Sequence, residues 1–285
     1  VIDELPLVIL DVQRGGPSTG LPTKAEQSDL LQALFGRSGE SPMPVIAATS
    51  PTNCFDAAYM ACKIALEHMT PVILLTDAFI ANGSAAWKLP DLKDYPAINP
   101  PYATPEMKGN YTPFYRNPDS YVRYWAVPGM EGYTHRIGGL EKDSKTGAIS
   151  TDPLNHNEMV ANRALKVSKI EVPDLVVDGD EDADFLVVGW GGTYGHLYSA
   201  VSQMREEGKK VAFAQFEFIN PLPKNTAEVL KRYKKVVVAE QNLGQFAGYL
   251  RMKIPGLMVS QFNEVKGQPF IIRELVDAFT KLMEG

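Results

Sequence analysis

An α/β fold built on mainly parallel sheets is what this chain of 285 residues predicts. Three observations carry that expectation. Short apolar runs alternate with segments of helical period; the runs are continuously apolar, as in strands covered on both faces; and this alternation occurs twice, separated by a long stretch with neither period. Two α/β units joined by an irregular connector follow from that order.

The elements come in sequence. "LPLVIL" near the start reads as a buried strand, and "KAEQSDLLQALFG" as a helix that stops at Gly36. "MPVIAAT" is a second strand. Ser50-Pro51 then opens a helix through "TNCFDAAYMACKIALEHM", with a capping serine and proline at the first position, and "TPVILLTDAF" is a third strand. Residues 1–84 form the first unit. From 85 to 182 the texture turns to proline, tyrosine, tryptophan and glycine, as in "YPAINPPYATPEMKGNYTPFYRNP", and contains one helix, "LNHNEMVANRALKVSKI". Its aromatics, Tyr102, Tyr111, Phe114, Tyr115, Tyr121, Tyr124 and Trp125, are too many for a flexible linker, so this segment is expected to be an ordered connector packed on its neighbours. "VPDLVVDGDEDA" is an acidic loop, which the chemistry of solvated charge runs favours over a metal site. Residues 183–285 resume the alternation with "FLVVGWGG", "YGHLYSAVSQMREEG", "KKVAFAQFEF", "KNTAEVLKRY", "KKVVVAEQN", "GQFAGYLRMKI", "GLMVSQF" and "FIIRELVDAFTKLMEG".

Composition excludes several functions. With 45% hydrophobic and 22% charged residues the chain buries a large core. A net charge of −6 and the lack of a Lys/Arg cluster argue against nucleic acid. No apolar run approaches the roughly 20 residues of a membrane span, and no signal core follows a basic start, so a cytoplasmic, non-membrane protein is expected. The two cysteines, Cys54 and Cys62, share one helix at a spacing that suits neither a disulfide framework nor a metal knuckle, and are expected to be small core residues. A strand-like run so close to Val1 suggests that upstream sequence or a partner covers its neighbours, as in a fragment of a longer chain.

Chemistry concentrates in "DVQRGGPSTG". Ligands of open parallel sheets bind beyond the carboxyl ends of strands, and Arg14 lies just past such an end. Gly15 and Gly16 let backbone N–H groups approach a ligand, Ser18 and Thr19 add hydroxyls, and a planar guanidinium suits a small carboxylate held bidentately. A turn whose arginine makes a structural salt bridge fits the spacing equally well. "GWGGTYGHL" accommodates a dinucleotide-type glycine turn through Gly189, Gly191 or Gly192, and Gly195, but the strand "VAFAQFEF" places Glu217 poorly for the acidic partner. His68, His135, His156 and His196 are scattered without a serine or cysteine partner, and His68 reads as a cap at a helix end.

"QRGGPSTGLPTKAEQSDLLQALFG", followed by "SPTNCFDAAYMACKIALEHMTPVILLTDAF", "GGLEKD", "GWGGTYG", "NPLP" and "EQNLGQFAGYLR", resembles the α subunit of 2-oxoacid:ferredoxin oxidoreductases over nearly the whole chain, and "RGGPSTGLPT" is similar to the 2-oxoglutarate branch. The resemblance implies part of a thiamine-diphosphate pyrimidine-type domain followed by a transketolase C-terminal-like α/β domain. It implies oxidative decarboxylation of 2-oxoglutarate with coenzyme A to succinyl-CoA and electron delivery to ferredoxin; pyruvate or a branched-chain 2-oxoacid is the alternative substrate. Arg14 then matches the substrate-carboxylate arginine and Thr19 a threonine of the same loop, with Ser18, Gly15 and Gly16 beside them; no catalytic residue and no metal ligand is assigned. Thiamine diphosphate, Mg²⁺ and iron–sulfur clusters belong to the complete complex, on a β subunit, with a γ subunit or domain as a further partner. Two cysteines cannot ligate a cluster that needs about four, so the isolated chain is expected to bind none of these groups and to be inactive or a non-catalytic assembly module. Lys142 stands where many relatives have histidine, and Lys24 is no better than a guess for the distal carboxylate. On this resemblance the glycines of "GWGGTYG" serve only packing.

Overall fold

The computed structural model describes residues 1–179 and 182–285. The first sheet contains β1 (Leu7–Gln13), β2 (Val45–Ala47) and β3 (Pro71–Asp77), and its order is β1-β3-β2-β7, where β7 is Phe218–Asn220. β3 lies between β1 and β2, parallel to both, while β7 runs antiparallel to β2. The second sheet, in the order β4-β6-β5-β8-β9, is built from β4 (Val177–Asp178), β5 (Phe185–Trp190), β6 (Val211–Phe216), β8 (Lys235–Glu240) and β9 (Ser260–Asn263). Only β4 is antiparallel to its neighbour. The expected α/β fold with mainly parallel sheets is present.

Helices cover these sheets in layers. α2 (Cys54–His68) presents Ala57, Ala61, Ile64 and Ala65 to one face of the first sheet, and small side chains let helix and sheet approach closely. The end of α4 (Pro153–Ser168) joins the same face through Val167. On the opposite face, α1 (Leu30–Phe35), α6 (Thr226–Arg232) and α7 (Gln245–Lys253) fill the space between the two sheets. α5 (Tyr194–Glu206) and α8 (Ile272–Glu284) cover the far side of the second sheet. One apolar cluster runs from Val45 and Leu75 through Trp190 and Phe216 to Phe246 and Leu250, so the sheets share a core.

The stretch 83–152 has no long element beyond α3 (Ala78–Asn82), which precedes it, yet it is tied down residue by residue. Tyr95 bonds Asp56, the Tyr59 hydroxyl donates to the Pro96 carbonyl, Lys63 donates to the Ala97 carbonyl, and the Asn99 amide donates to Glu67. Those four α2 residues lie three or four apart, on one helical face. Farther along, Glu4 is fully buried between Arg116 and Lys166, with Lys166 Nζ 2.5 Å from its carboxylate, and the Arg123 Nε donates to the Glu4 carbonyl. Burial alone would raise the Glu4 carboxyl, but Lys166 and Arg116 outweigh it and hold it at about 2. Burial, helped by Arg116 and Arg123, pushes Lys166 down to about 8. Both directions follow from a cluster with more positive than negative charge.

Five local expectations are corrected. The helix expected from Lys24 begins only at Leu30, because the backbone around Gln27 is bonded to the second unit instead of to itself. "VAFAQFEF" is two strands: the chain turns at Glu217, whose carbonyl accepts from the Ala47 amide, and β7 crosses to the first sheet. Cys54 is half-buried but Cys62 is exposed, on the side of α2 away from the sheet, and both thiols are free. His68 is in the last turn of α2, where burial pushes its imidazole down and favours the neutral form, so it is no charged cap. Of the acidic loop, Asp180 and Glu181 lie outside the described residues. β1, expected to be a buried strand, is instead an edge strand, with Leu7, Ile9, Leu10 and Val12 exposed, Leu10 to 59%, because only β3 pairs with it.

Candidate functional site

The carboxyl ends of β1 and β3 meet at paired residues Gln13 and Asp77, and the loop carrying Arg14 leaves from there. A tight return shapes the loop. The Gly15 amide donates to the Lys24 carbonyl at 3.1 Å and its own carbonyl accepts from the Leu21 amide at 2.9 Å. Gly20 has φ +41°, and a Cβ there would lie 2.3 Å from the Gly15 carbonyl oxygen, so this corner requires glycine. Ser18 also adopts positive φ.

A cleft of about 1020 Å³ opens beside the loop. Arg14, Gly16 and Ser18 line it, together with Pro17, Thr23, Asp11, Glu26, Asp29, Asn82 and Val265. Gly15, Thr19 and Lys24 do not line it. Gly15 is buried in the return, Thr19 is exposed at the loop tip, and Lys24 sits with its Cβ beside Gly267. The amides expected to face a ligand are engaged internally: that of Gly15 bonds Lys24, and that of Gly16 faces the Glu26 carboxylate. Their contribution is to the shape of the loop.

The Arg14 guanidinium is exposed and, among the described residues, makes no ion pair or hydrogen bond. The salt-bridged turn that the spacing allowed is therefore not what the structure contains. Asp11 and Glu26 are half-buried in the same cleft; burial pushes both carboxyls upward, with Asp29 adding to it at Asp11, while at Glu26 the Gly16 amide opposes it and Asp29 adds less. The cleft thus combines one unpaired guanidinium at its mouth with two carboxyls that burial raises. A guanidinium of this kind binds an incoming carboxylate in a planar, two-bond fork.

Behind the loop stands an amide framework that the sequence reading missed. Gln13 donates to the Thr76 carbonyl and accepts from the Asp29 amide. Gln27, fully buried, donates through Nε2 to the Trp190 carbonyl at 2.7 Å and accepts from the Gln241 amide at 2.9 Å. Asn242 and Gln245 donate to the carbonyls of Gln27 and Ser28. The signal available was the glutamine and asparagine content of "EQNLGQ", together with a glutamine in the middle of an apparently helical segment.

The glycine turn "GWGG" faces the first sheet. The Gly192 amide faces the Asp77 carboxylate, and a Cβ on Gly192 would lie 2.0 Å from Asp77 Oδ2. Asp77 also accepts from the Phe79 and Ile80 amides at the start of α3. Gly189 lies against Leu197 and Gln215, so this turn holds side chains where a nucleotide phosphate would have to sit. Lys142 is buried, with its ammonium on the carbonyls of Gly138 and Leu140. Next to it Glu141 pairs with Arg163 and His156, which fastens "GGLEKD" to α4. The four histidines do not converge; His196 instead packs on Phe79. Among the described residues no group of three or more His, Cys, Asp or Glu side chains is arranged to hold a metal ion, and no helix is long and apolar enough to cross a membrane.

Residues 1–152 match the family model described as "Pyruvate flavodoxin/ferredoxin oxidoreductase, thiamine diP-bdg", and residues 183–274 match "Pyruvate:ferredoxin oxidoreductase core domain II". The chain is 49% identical over 276 residues to the 2-oxoglutarate oxidoreductase subunit KorA of Mycobacterium tuberculosis, covering 96% of this chain and 42% of that protein. It is 30% identical to the 2-oxoglutarate synthase subunit KorA of Methanothermobacter marburgensis, over 85% of this chain and 64% of the relative. A solved 2-oxoglutarate:ferredoxin oxidoreductase from Magnetococcus marinus, with 2-oxoglutarate, coenzyme A and succinyl-CoA bound, superposes with a TM-score of 0.89 at 29% identity, covering 99% of this chain and 49% of that one. The chain thus spans about half the length of several relatives it matches.

Proposed function

Because the chain belongs to the thiamine-diphosphate-binding pyruvate flavodoxin/ferredoxin oxidoreductase family and stands with its α subunits, we propose that it is the part of a 2-oxoglutarate:ferredoxin oxidoreductase α subunit that anchors the substrate carboxylate. In this reading the complex converts 2-oxoglutarate and coenzyme A to succinyl-CoA and CO₂, and the electrons pass to ferredoxin. The observation that carries it is the Arg14 guanidinium, unpaired among the described residues at the mouth of the cleft, on a loop held rigid from behind.

Arg14 donates two parallel hydrogen bonds to the 1-carboxylate of the oxoacid, and the Ser18 hydroxyl at the same rim offers one more. Thr19, exposed at the loop tip, does not line the cleft and is given no contact with the substrate in this reading. Thiamine diphosphate, when bound, supplies the electron sink for decarboxylation. The side chains present do not make a full diphosphate and Mg²⁺ site: the Gly192 amide is committed to Asp77, and no described trio of ligands converges. In this reading, which rests on the family resemblance, the diphosphate, Mg²⁺ and iron–sulfur clusters are held by a β subunit of the complete complex.

The test is Arg14→Ala and Arg14→Lys in the assembled complex. Loss of a charge-assisted forked pair predicts a fall of about 2–3 kcal/mol in transition-state binding, roughly 30- to 150-fold in kcat/KM for 2-oxoglutarate, with partial retention in the lysine variant. Turnover of pyruvate and 2-oxoisovalerate is measured beside it. An unchanged kcat/KM in Arg14→Ala removes the anchor role, and preference for either other oxoacid removes the substrate assignment.

A further inference from the structure

The segment from Lys24 to Asp29 belongs to no helix or strand, although its composition is that of a helix. Its backbone polar groups therefore need other partners, and the second unit supplies them. The Gln27 amide donates to the Gln241 carbonyl at 3.1 Å, and the Gln27 carbonyl accepts from Asn242 Nδ2 at 2.9 Å. Its carboxamide uses both ends as well, giving to the Trp190 carbonyl and taking from the Gln241 amide. Four hydrogen bonds from one fully buried residue thus cross between the units.

On either side of Gln27 the same segment holds the Arg14 loop. The Ser28 hydroxyl donates to the Arg14 carbonyl at 3.0 Å, the Glu26 carboxylate faces the Gly16 amide, and the Lys24 carbonyl takes the Gly15 amide. Beneath it, Trp190 and Gln241 are themselves fixed. The Trp190 indole donates to Glu240, and Glu240 accepts the Phe246 and Ala247 amides at the start of α7. Hydrogen bonds joined through the backbone of Trp190 and the Gln27–Ser28 peptide lead from the first turn of α7 to the backbone of Arg14.

We propose that Gln27 is a positioning residue for Arg14, through which the second α/β unit sets the distance at which the guanidinium meets the substrate carboxylate. This rests on the reading of Arg14 given above. The carboxamide is required because the site needs a donor toward Trp190 and an acceptor toward Gln241 in one planar group. A carboxylate keeps the acceptor but turns an oxygen toward the Trp190 carbonyl, and a small displacement of the guanidinium weakens the forked pair by which it binds substrate.

The experiment measures steady-state kinetics of the assembled complex carrying Gln27→Glu, Ser28→Ala or Arg14→Ala. Gln27→Glu is expected to raise the KM for 2-oxoglutarate about tenfold, with kcat at saturation and the KM for coenzyme A within about twofold of wild type. Protonation gives the introduced carboxyl back its donor, so the KM defect relative to wild type at the same pH, where Asp11 and Glu26 of the cleft titrate in both proteins, shrinks from pH 8 toward pH 6. Ser28→Ala, which deletes only the link to the Arg14 carbonyl, raises the same KM several-fold, and an unchanged KM in it overturns the path from Gln27 to Arg14 even if Gln27→Glu fails to assemble. A lower kcat with unchanged KM in either variant means that Gln27 merely keeps the protein folded, and overturns the proposal. If Arg14→Ala raises KM while Gln27→Glu and Ser28→Ala do not, only this inference falls; if Arg14→Ala is silent too, the functional reading falls with it.

Discussion

Substituting Glu4 by glutamine tests the charge cluster that fastens the connector. Glu4 is 0% exposed and Lys166 is 2% exposed, so solvent screens neither. Lys166 and Arg116 hold the Glu4 carboxyl down at about 2, which stabilises the fold at neutral pH, while burial pushes Lys166 down to about 8, which opposes it. An intact buried pair of this kind is close to neutral in net stability, because desolvation offsets the attraction. Its disruption is not, because Gln leaves Lys166, Arg116 and Arg123 without their buried counter-charge, and breaking such a pair costs about 3–5 kcal/mol. Lys166 limits the damage by releasing its proton, as it already sits near 8. Lys166→Met should cost less than Glu4→Gln, since Arg116 still pairs with Glu4, and the double variant should recover part of the loss. The sign with pH follows from the two shifts. The Glu4 contribution is complete above 4.5 and disappears as pH falls toward 2, whereas the Lys166 penalty is complete below 8 and is relieved as pH rises toward 10.5. Urea denaturation followed by tryptophan fluorescence at pH 7, with an acid series, reads both. A Glu4→Gln variant within about 1 kcal/mol of wild type, or one with an unchanged acid transition, would refute the reasoning.

Two further outcomes follow from the packing. Gly192→Ala puts a Cβ 2.0 Å from Asp77 Oδ2 and should lower stability by about 2–3 kcal/mol, as overpacking of a rigid contact does; Gly195→Ala, where a Cβ meets nothing within 4 Å, should be near neutral in the same denaturation assay. Under native conditions one thiol should react quickly with a maleimide. Mass spectrometry of the labelled peptides should find it at exposed Cys62 and not at Cys54, which is half-buried and whose thiol burial pushes up, and fast labelling of Cys54 would contradict the packing of α2.

Periodicity made most of the fold legible, since a strand covered on both faces and a helix covered on one leave different patterns. β3 is buried at all seven positions and was unmistakable. What periodicity does not encode is which backbone groups pair across the chain. The run from Val211 to Asn220 looks like one strand because both its halves are apolar, but the turn at Glu217 is visible only as a hydrogen bond to Ala47, far away in sequence. The late start of α1 has the same origin: residues 24–29 have helical composition and lose the helix to Gln241, Asn242 and Gln245. Arg14 was legible as a candidate because an arginine followed by two glycines at a strand end suits a ligand as readily as a structural salt bridge, and among the described residues the structure leaves its guanidinium unpaired. Gln27 was not, because a buried glutamine is informative only once its partners are known.

The glycine turn shows how one local chemistry serves two ends. A G-x-G-G turn between strand and helix is selected by close backbone approach, and it presents amides to whatever anion comes near. A phosphate and a carboxylate make the same demand on such a turn, so the pattern alone cannot separate them. Here the anion is internal: Asp77, buried at the carboxyl end of β3, faces the Gly192 amide with one oxygen while the other caps α3. Burial pushes this carboxyl up and the three amides pull it back, which is the balance expected of an anion held by backbone dipoles away from water. The turn at the end of β5 and the end of β3 are thereby locked at one point, two residues from the Trp190 carbonyl that receives Gln27. The same few residues of the second unit therefore fix both the strand next to β1 and the return of the loop that β1 feeds, which is why a unit without an evident reactive group of its own bears directly on where Arg14 stands.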